Sequence, residues 1–463
     1  MVFSSLEFIF WFLPVFLLLY FVAADKYKNY VLLFASLFFY AYGEPLYLLL
    51  MIFSIVINYI LARIMVRYDR VSRLVFVSAL LIDFGALFIF KYYNFFTSNL
   101  NNCLGYAHIP VLNLTLPLGI SFYTFQIASY MIDVYKGKYA VESNIIKFAA
   151  YVSMFPQLIA GPIVNYDEVR ESLNHRKIEL SSIERGVQIF IIGLCYKVLL
   201  ANNIASLWND VDTIGPYGIN TPLAWFASWG YSMQLYFDFF GYSLMAIGLG
   251  KIIGFRFPKN FNNPYAAVSL TDFWRRWHIT LSRWFKEYVY IPMGGNRCNP
   301  VKHIFNLIVV WMLTGLWHGA DWNYLLWGIC TVVILIFEKY VLHKVLDKSR
   351  ILGHCYMFIL IPVLWTIFNI NDLNFLGLYL KKMFFIPLGG YTAGNTMTTF
   401  IYMVKKYWWM FLACVIFATP YPMRVYVKCR KKIICNVFLF ALFWLCVYEL
   451  VFGTNNPFLY FRF

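Results

Sequence analysis

The chain predicts an all-α, polytopic membrane protein, on three observations. Of its 463 residues, 61% are hydrophobic and only 13% charged, with a mean hydropathy of +0.64. A soluble protein of this length could not cover so much apolar surface with so few charges. Apolar runs near twenty residues, enough to cross a hydrocarbon core roughly 30 Å thick, recur from end to end. The bases gather in short connections beside those runs. Lys and Arg exceed Asp and Glu by 16, and their placement is the positive-inside pattern rather than a nucleic-acid footprint.

The first run, 6–24, lacks a basic leading region and an A-x-A site, so it is expected to be a retained span and not a cleaved signal. The basic connections 25–28, 63–73, 136–147, 343–350 and 424–432 are expected to face the cytoplasm. Connections 97–115 and 205–221 contain no Lys or Arg and are placed outside. Threading the runs through these assignments leaves one exception, 148–164, whose flanks must both lie inside. It carries Pro156, Gly161 and Pro162, which break a spanning helix, so a re-entrant segment is expected there. The remaining runs give about twelve crossings with both termini outside, the run 30–42 being short. No internal repeat emerges, which argues against a transporter built from inverted halves. Of nine cysteines, Cys195, Cys330, Cys414 and Cys446 are among those inside apolar runs, and no C-x-x-C occurs. Neither a disulfide framework nor a metal site is expected.

His318 is the first candidate for chemistry. It ends the apolar run 304–317 and opens the tight connection His318-Gly-Ala-Asp-Trp322, before the next run begins. From Ile304 to His318 is about 22 Å of helix at 1.5 Å per residue, short of the far surface. Ionisable groups at membrane depth are costly and are functional candidates by default. The alternative is a histidine that ties two helices together through a carbonyl.

The densest basic stretch, 256–303, contains Arg256, Lys259, Arg275, Arg276, Arg283, Lys286, Arg297 and Lys302 against Asp272 and Glu287. Ser269-Leu-Thr-Asp272 matches a capping box and predicts a helix over 271–288. At helical spacing Trp274, Trp277, Leu281, Trp284 and Tyr288 form one apolar face, while Arg276, Arg283 and Lys286 fall on another. His278 points toward the apolar side. This helix either lies in the interface with its tryptophans in the aromatic belt or presents its arginines to an anionic ligand.

Six strings, in order, resemble the membrane-bound O-acyltransferase family. They are Leu116-Pro-Leu-Gly-Ile-Ser-Phe-Tyr-Thr-Phe-Gln126 with Asp133-Val-Tyr-Lys-Gly137, Phe155-Pro-Gln-Leu-Ile-Ala-Gly-Pro162, Phe237-Asp-Phe-Phe-Gly-Tyr242, Asn262-Asn-Pro-Tyr265, Phe273-Trp-Arg-Arg-Trp-His278 and Leu316-Trp-His-Gly319. The resemblance is to the polysaccharide-modifying branch, with its alginate and peptidoglycan O-acetylation proteins and the D-alanine exporter of teichoic acids. It covers roughly residues 1–340, followed by additional C-terminal spans and an aromatic tail over 341–463, all within one integral-membrane domain. Phe240 and Leu244 stand where that branch has Ser and Asp, so that pair's part in lining the acceptor path is not carried over.

The resemblance implies a helical funnel of eleven or twelve transmembrane helices with re-entrant segments, in a bacterial cytoplasmic (inner) membrane. It implies His318 as the catalytic histidine and His278 as the second motif histidine. The acyl donor implied is acetyl-CoA, as substrate rather than bound cofactor, with Arg275, Arg276, Arg283 and Lys286 meeting its phosphates. Acetyl groups would pass outward onto a surface polysaccharide, an alginate-like exopolysaccharide or peptidoglycan, with an extracellular or periplasmic SGNH-type acyltransferase as partner. D-alanyl transfer to teichoic acid and a non-enzymatic transporter of an anionic or lipid-linked solute are the alternatives.

Transfer from a thioester to a hydroxyl needs a base, a role worth roughly 10²–10⁴-fold that a neutral buried imidazole fills. His318 is assigned as base, or as nucleophile through an acyl-imidazole. Asp321, three residues on, orients it or caps the next helix. The terminal Phe458-Leu-Tyr460-Phe-Arg-Phe463 resembles the aromatic C-terminal motif of the partner peptide in the D-alanine system. That implies a tail docked in the extracellular funnel with Tyr460 as acyl carrier; an aromatic anchor is the alternative.

Overall fold

The computed structural model describes residues 1–105, 108–158, 161–346, 348–386 and 396–453, and among them the regular structure is helical with no strand. The tail with Tyr460 lies outside the described residues. Among the described residues eight helices are long and apolar enough to cross a membrane, from Tyr47–Arg67 to Ile433–Phe452. The other crossings expected from sequence fall on helices that are shorter, Phe8–Val22, Lys28–Gly43 and Ile120–Tyr135, or less apolar along their length, Thr221–Ile252. The protein is an all-α polytopic membrane protein.

Backbone contacts group the chain into two units, Met1–Phe190 with Tyr242–Lys259, and Ile191–Gly241 with Asn260–Phe463. In the first, the core is aromatic: Phe3, Phe12, Phe16 and Phe39 surround Phe155 at ring distances from 5.0 to 6.3 Å. The segment expected to break does so. The helix Ile145–Ser153 ends at Met154 and a single turn, Phe155–Leu158, follows; residues 161–165 are buried and outside any helix. Side chains satisfy the freed backbone, Gln157 donating to the Tyr151 carbonyl (2.6 Å) and the Tyr151 hydroxyl to the Val164 carbonyl (3.1 Å). This is how irregular backbone is tolerated inside a membrane protein.

The second unit holds the candidate site. Its helices Pro300–His318 and Trp322–Phe337 meet backbone against backbone, because a Cβ at Gly315 would come within 2.6 Å of the Tyr324 carbonyl oxygen, and one at Gly328 within 2.7 Å of the Trp311 carbonyl oxygen. Only glycine permits that approach. It brings the start of the second helix against the end of the first, where His318 sits.

Two expectations are corrected. The helix bearing His318 begins at Pro300 and has 19 residues, roughly 28 Å, longer than the run 304–318 that was expected to leave the imidazole short of the far surface. Protein covers it instead. The continuous helix over 271–288 is also broken, into Leu270–Trp274 and Ile279–Phe285, with His278 between them in the left-handed region at φ 42°. The physical reason is competition for backbone groups. The Arg276 carbonyl accepts from the Asn262 N–H and the Ile279 N–H donates to the Asn260 carbonyl, both at 2.9 Å. Those pairings replace the i→i+4 bonds that a straight helix would make.

The tryptophans follow the same correction. Trp277 packs on Phe273 and Trp365, and Trp274 on Trp311 and Trp327. Trp277 is buried and Trp274 half-buried, so these two pack against rings of this unit instead of forming one open apolar face. Phe240, standing where the resemblance has Ser, stacks on Tyr196 and Tyr236.

Candidate active site

Both motif histidines line one cavity of about 810 Å³ in the second unit. His318 is the last residue of its helix, 8% exposed, with the rings of Trp317, Trp327 and Phe368 edge-on at 5.0, 5.3 and 5.0 Å. His278 lies 4.7 Å from the Phe239 ring and 5.8 Å from Trp317. Trp317 therefore touches both imidazoles. Apolar rings exclude water and leave the imidazoles as chemical groups in low-dielectric walls, where electrostatic interactions are strong.

The local fold explains why His278 is buried. Ser269 caps the short helix before it, its Oγ accepting from the Asp272 N–H at 3.0 Å. The next two orphan donors of that helix, the N–H groups of Leu270 and Thr271, go to the buried Glu338 carboxylate at 2.6 and 2.9 Å. A carboxylate at a helix N-terminus is doubly favoured, by hydrogen bonding and by the helix dipole. Glu338 gave no signal in the sequence, because its partners lie 67 and 68 residues away.

Burial holds the His278 imidazole down to about 3 from its ordinary 6.5, so the ring is neutral at physiological pH. The unfolded chain binds a proton as pH falls through about 6.5, and the folded one does not. Stability attached to this group is therefore fully present above that pH and declines below it, by at most about 1.4 kcal/mol per pH unit. A His278→Gln variant is expected to lose less melting temperature than wild type between pH 7 and pH 5, measured in the same detergent. Equal losses would contradict this.

Four cations line the same cavity: Arg275, Lys286, Arg297 and Lys339, with no carboxylate among the lining side chains described. Two were expected. Arg276 and Arg283 are not in the lining; Arg276 instead pairs with Asp272 at 2.9 Å. Arg297 and Lys339 were missed as site residues, since one sits in a glycine-containing turn and the other at the end of an apolar run. The Lys339 ammonium donates to His303 Nε2, and His303 Nδ1–H to the Tyr340 hydroxyl, each at 3.0 Å. Asp321 takes the capping alternative, its carboxylate accepting from the Trp322 N–H at 2.7 Å. Among the described residues no group of three His, Cys, Asp or Glu side chains could hold a metal ion.

Residues 138–380 match the sequence profile of MBOAT, the membrane-bound O-acyltransferase family. The chain is similar to the probable alginate O-acetylase AlgI of Azotobacter vinelandii, 40% identical over 382 residues, 81% of this chain and 76% of that protein. It is 37% identical over 412 residues to the peptidoglycan O-acetyltransferase of Helicobacter pylori, covering 81% and 78%. The teichoic acid D-alanyltransferase of Bacillus subtilis is more distant, at 28% over 291 residues, 59% of this chain and 71% of that protein.

Proposed function

Because the chain belongs to the membrane-bound O-acyltransferase family and is an acyltransferase, we propose that it takes acetyl groups from acetyl-CoA at the cytoplasmic face and delivers them outward for O-acetylation of a surface polysaccharide. The acceptor in this reading is an alginate-like exopolysaccharide or peptidoglycan, reached directly or through an extracellular SGNH-type acyltransferase partner. The membrane is the bacterial cytoplasmic one. The observation that carries the reading is one cavity holding the two motif histidines, with the buried His303 beside them, and four cations without a carboxylate in its described lining. A coenzyme A thioester has the matching chemistry, phosphates at one end and a reactive carbonyl at the other. The greater identity to the acetylating relatives favours acetyl over D-alanyl transfer.

In this mechanism the acceptor hydroxyl attacks the thioester carbonyl while His318 removes its proton, and the tetrahedral intermediate expels the thiolate, which takes up a proton. In the covalent route His318 attacks the thioester carbonyl and expels the thiolate, which takes up a proton; the acyl-imidazole then passes its acetyl group to the hydroxyl, whose proton goes to the released imidazole. Tyr460 as a further carrier belongs to this proposal.

Membranes bearing the protein and supplied with acetyl-labelled CoA should deliver label to the surface glycan. Label that follows a D-alanyl thioester on a phosphopantetheine carrier, and ignores acetyl-CoA, overturns the reading. The cations make a second test. Arg297→Ala and Lys339→Ala are each expected to raise the KM for acetyl-CoA about three- to tenfold with little change in kcat, the range for charge-assisted contacts on an exposed rim. An unchanged KM in both would remove these two side chains from the donor site.

A further inference from the structure

Asn260 is 1% exposed and its side-chain oxygen is the focus of three donors. The Thr280 hydroxyl donates to it at 2.9 Å and the Thr280 backbone N–H at 3.3 Å, while His278 Nδ1 lies 3.0 Å from the same atom. A backbone N–H can only donate, so the atom it meets must be the amide oxygen, and the orientation of the amide follows. An oxygen acceptor at 3.0 Å then requires the proton of the neutral imidazole to sit on Nδ1, which leaves Nε2 bare. Nε2 has no hydrogen-bond partner among the described residues, and a buried acceptor left unmet is costly.

We propose that Asn260 is a positioning residue for the transfer reaction: it locks His278 as the Nδ1–H tautomer, so that Nε2 accepts a hydrogen from the acyl donor and does not supply one. This rests on reading the cavity as the donor site. The pantetheine arm of an acyl-CoA carries amide N–H groups near its thioester, the chemistry that a bare imidazole nitrogen meets. His278 thereby holds the donor, and the proton transfers fall to His318. The left-handed backbone at His278 belongs to the same device. It is a strained conformation for a residue with a side chain, held by the Ile279–Asn260 backbone bond and by the Thr280 contacts to the same asparagine.

The surroundings leave the amide as the polar group that sets the ring. The elements packed against His278 bring Phe239, Trp317 and Asn260 to it. The titratable neighbours of those residues are Asp238, which is paired with Lys197, His318 beside Trp317, and Lys259 before Asn260. On its own segment stand Arg275 and Arg276. None of them contributes to the displacement of its titration, which comes from burial.

The test has two arms on the full-length protein in lipid nanodiscs. In ¹⁵N-histidine spectra the His278 signal, identified by its loss in His278→Gln, is expected to show protonated Nδ1 and unprotonated Nε2. A signal with the proton on Nε2 overturns the proposal, whether or not the protein transfers acetyl groups. The second arm is the pH profile of acetyl transfer in Asn260→Asp, whose carboxylate keeps the acceptor and stabilises the imidazolium. That variant is expected to show a new limb between pH 8 and pH 5, activity falling about tenfold per unit below it as Nε2 becomes protonated, where wild type shows none from this group. A folded Asn260→Asp protein with the wild-type profile overturns the proposal. Absence of acetyl transfer in wild type, with the tautomer as expected, would instead count against the reading of function.

Discussion

Replacing His318 with alanine is expected to lower acetyl transfer at least 10²–10⁴-fold while the KM for acetyl-CoA stays near its wild-type value. The magnitude is that of a positioned general base, and it is larger if the imidazole is also the covalent nucleophile. The KM expectation follows from the geometry, since Arg275, Lys286, Arg297 and Lys339 remain in the cavity lining and the change removes a ring at its wall. An interaction made only in the transition state lowers kcat and kcat/KM together. The measurement is initial rate against acetyl-CoA concentration in proteoliposomes, with thermal unfolding alongside to show that the Trp317, Trp327 and Phe368 packing survives. Undiminished kcat in a folded variant would end the assignment of His318 as the base. His318→Gln, which keeps polar volume but cannot cycle a proton at this pH, should be as inactive as His318→Ala.

The second large effect concerns stability. Lys197 and Asp238 form an ion pair at 2.7 Å with side chains 1% and 3% exposed. Lys197 lies within the apolar helical stretch Leu180–Ile214, and its ammonium also donates to Asn202 Oδ1 at 2.8 Å. Removing one partner leaves a charge buried without its counter-ion, so Asp238→Asn is expected to destabilise the protein by about 3–5 kcal/mol. The double variant Lys197→Met with Asp238→Leu should recover most of that loss, because two apolar groups of similar volume need no desolvation of charge. Thermal unfolding of the single and double variants in one detergent provides the comparison. A double variant as unstable as the single would mean that the loss comes from packing and not from the orphaned charge.

The pair also shows where reading the chain stops. Phe237-Asp-Phe-Phe-Gly-Tyr242 stood out as a string, yet nothing near Asp238 in sequence pointed to Lys197, 41 positions earlier. Asn260, Glu338, Arg297 and Lys339 escaped for the same reason, each acquiring its role from a partner or a cavity that chain order does not show. The break at His278 could not be foreseen either. Capping and amphipathic spacing over 271–288 are local signals that agree on one helix, and the competing backbone partners at Asn260 and Asn262 are not local.

What the chain determined by itself was the membrane architecture, the two histidines and their family strings, because hydropathy, loop charge and motif order act along the chain over tens of residues at most. The tertiary structure alone decided which cations share a cavity with those histidines, which tautomer His278 adopts and what covers His318. Each of these depends on distances between atoms far apart in sequence, and both hydrogen bonding and burial are settled only after the helices pack.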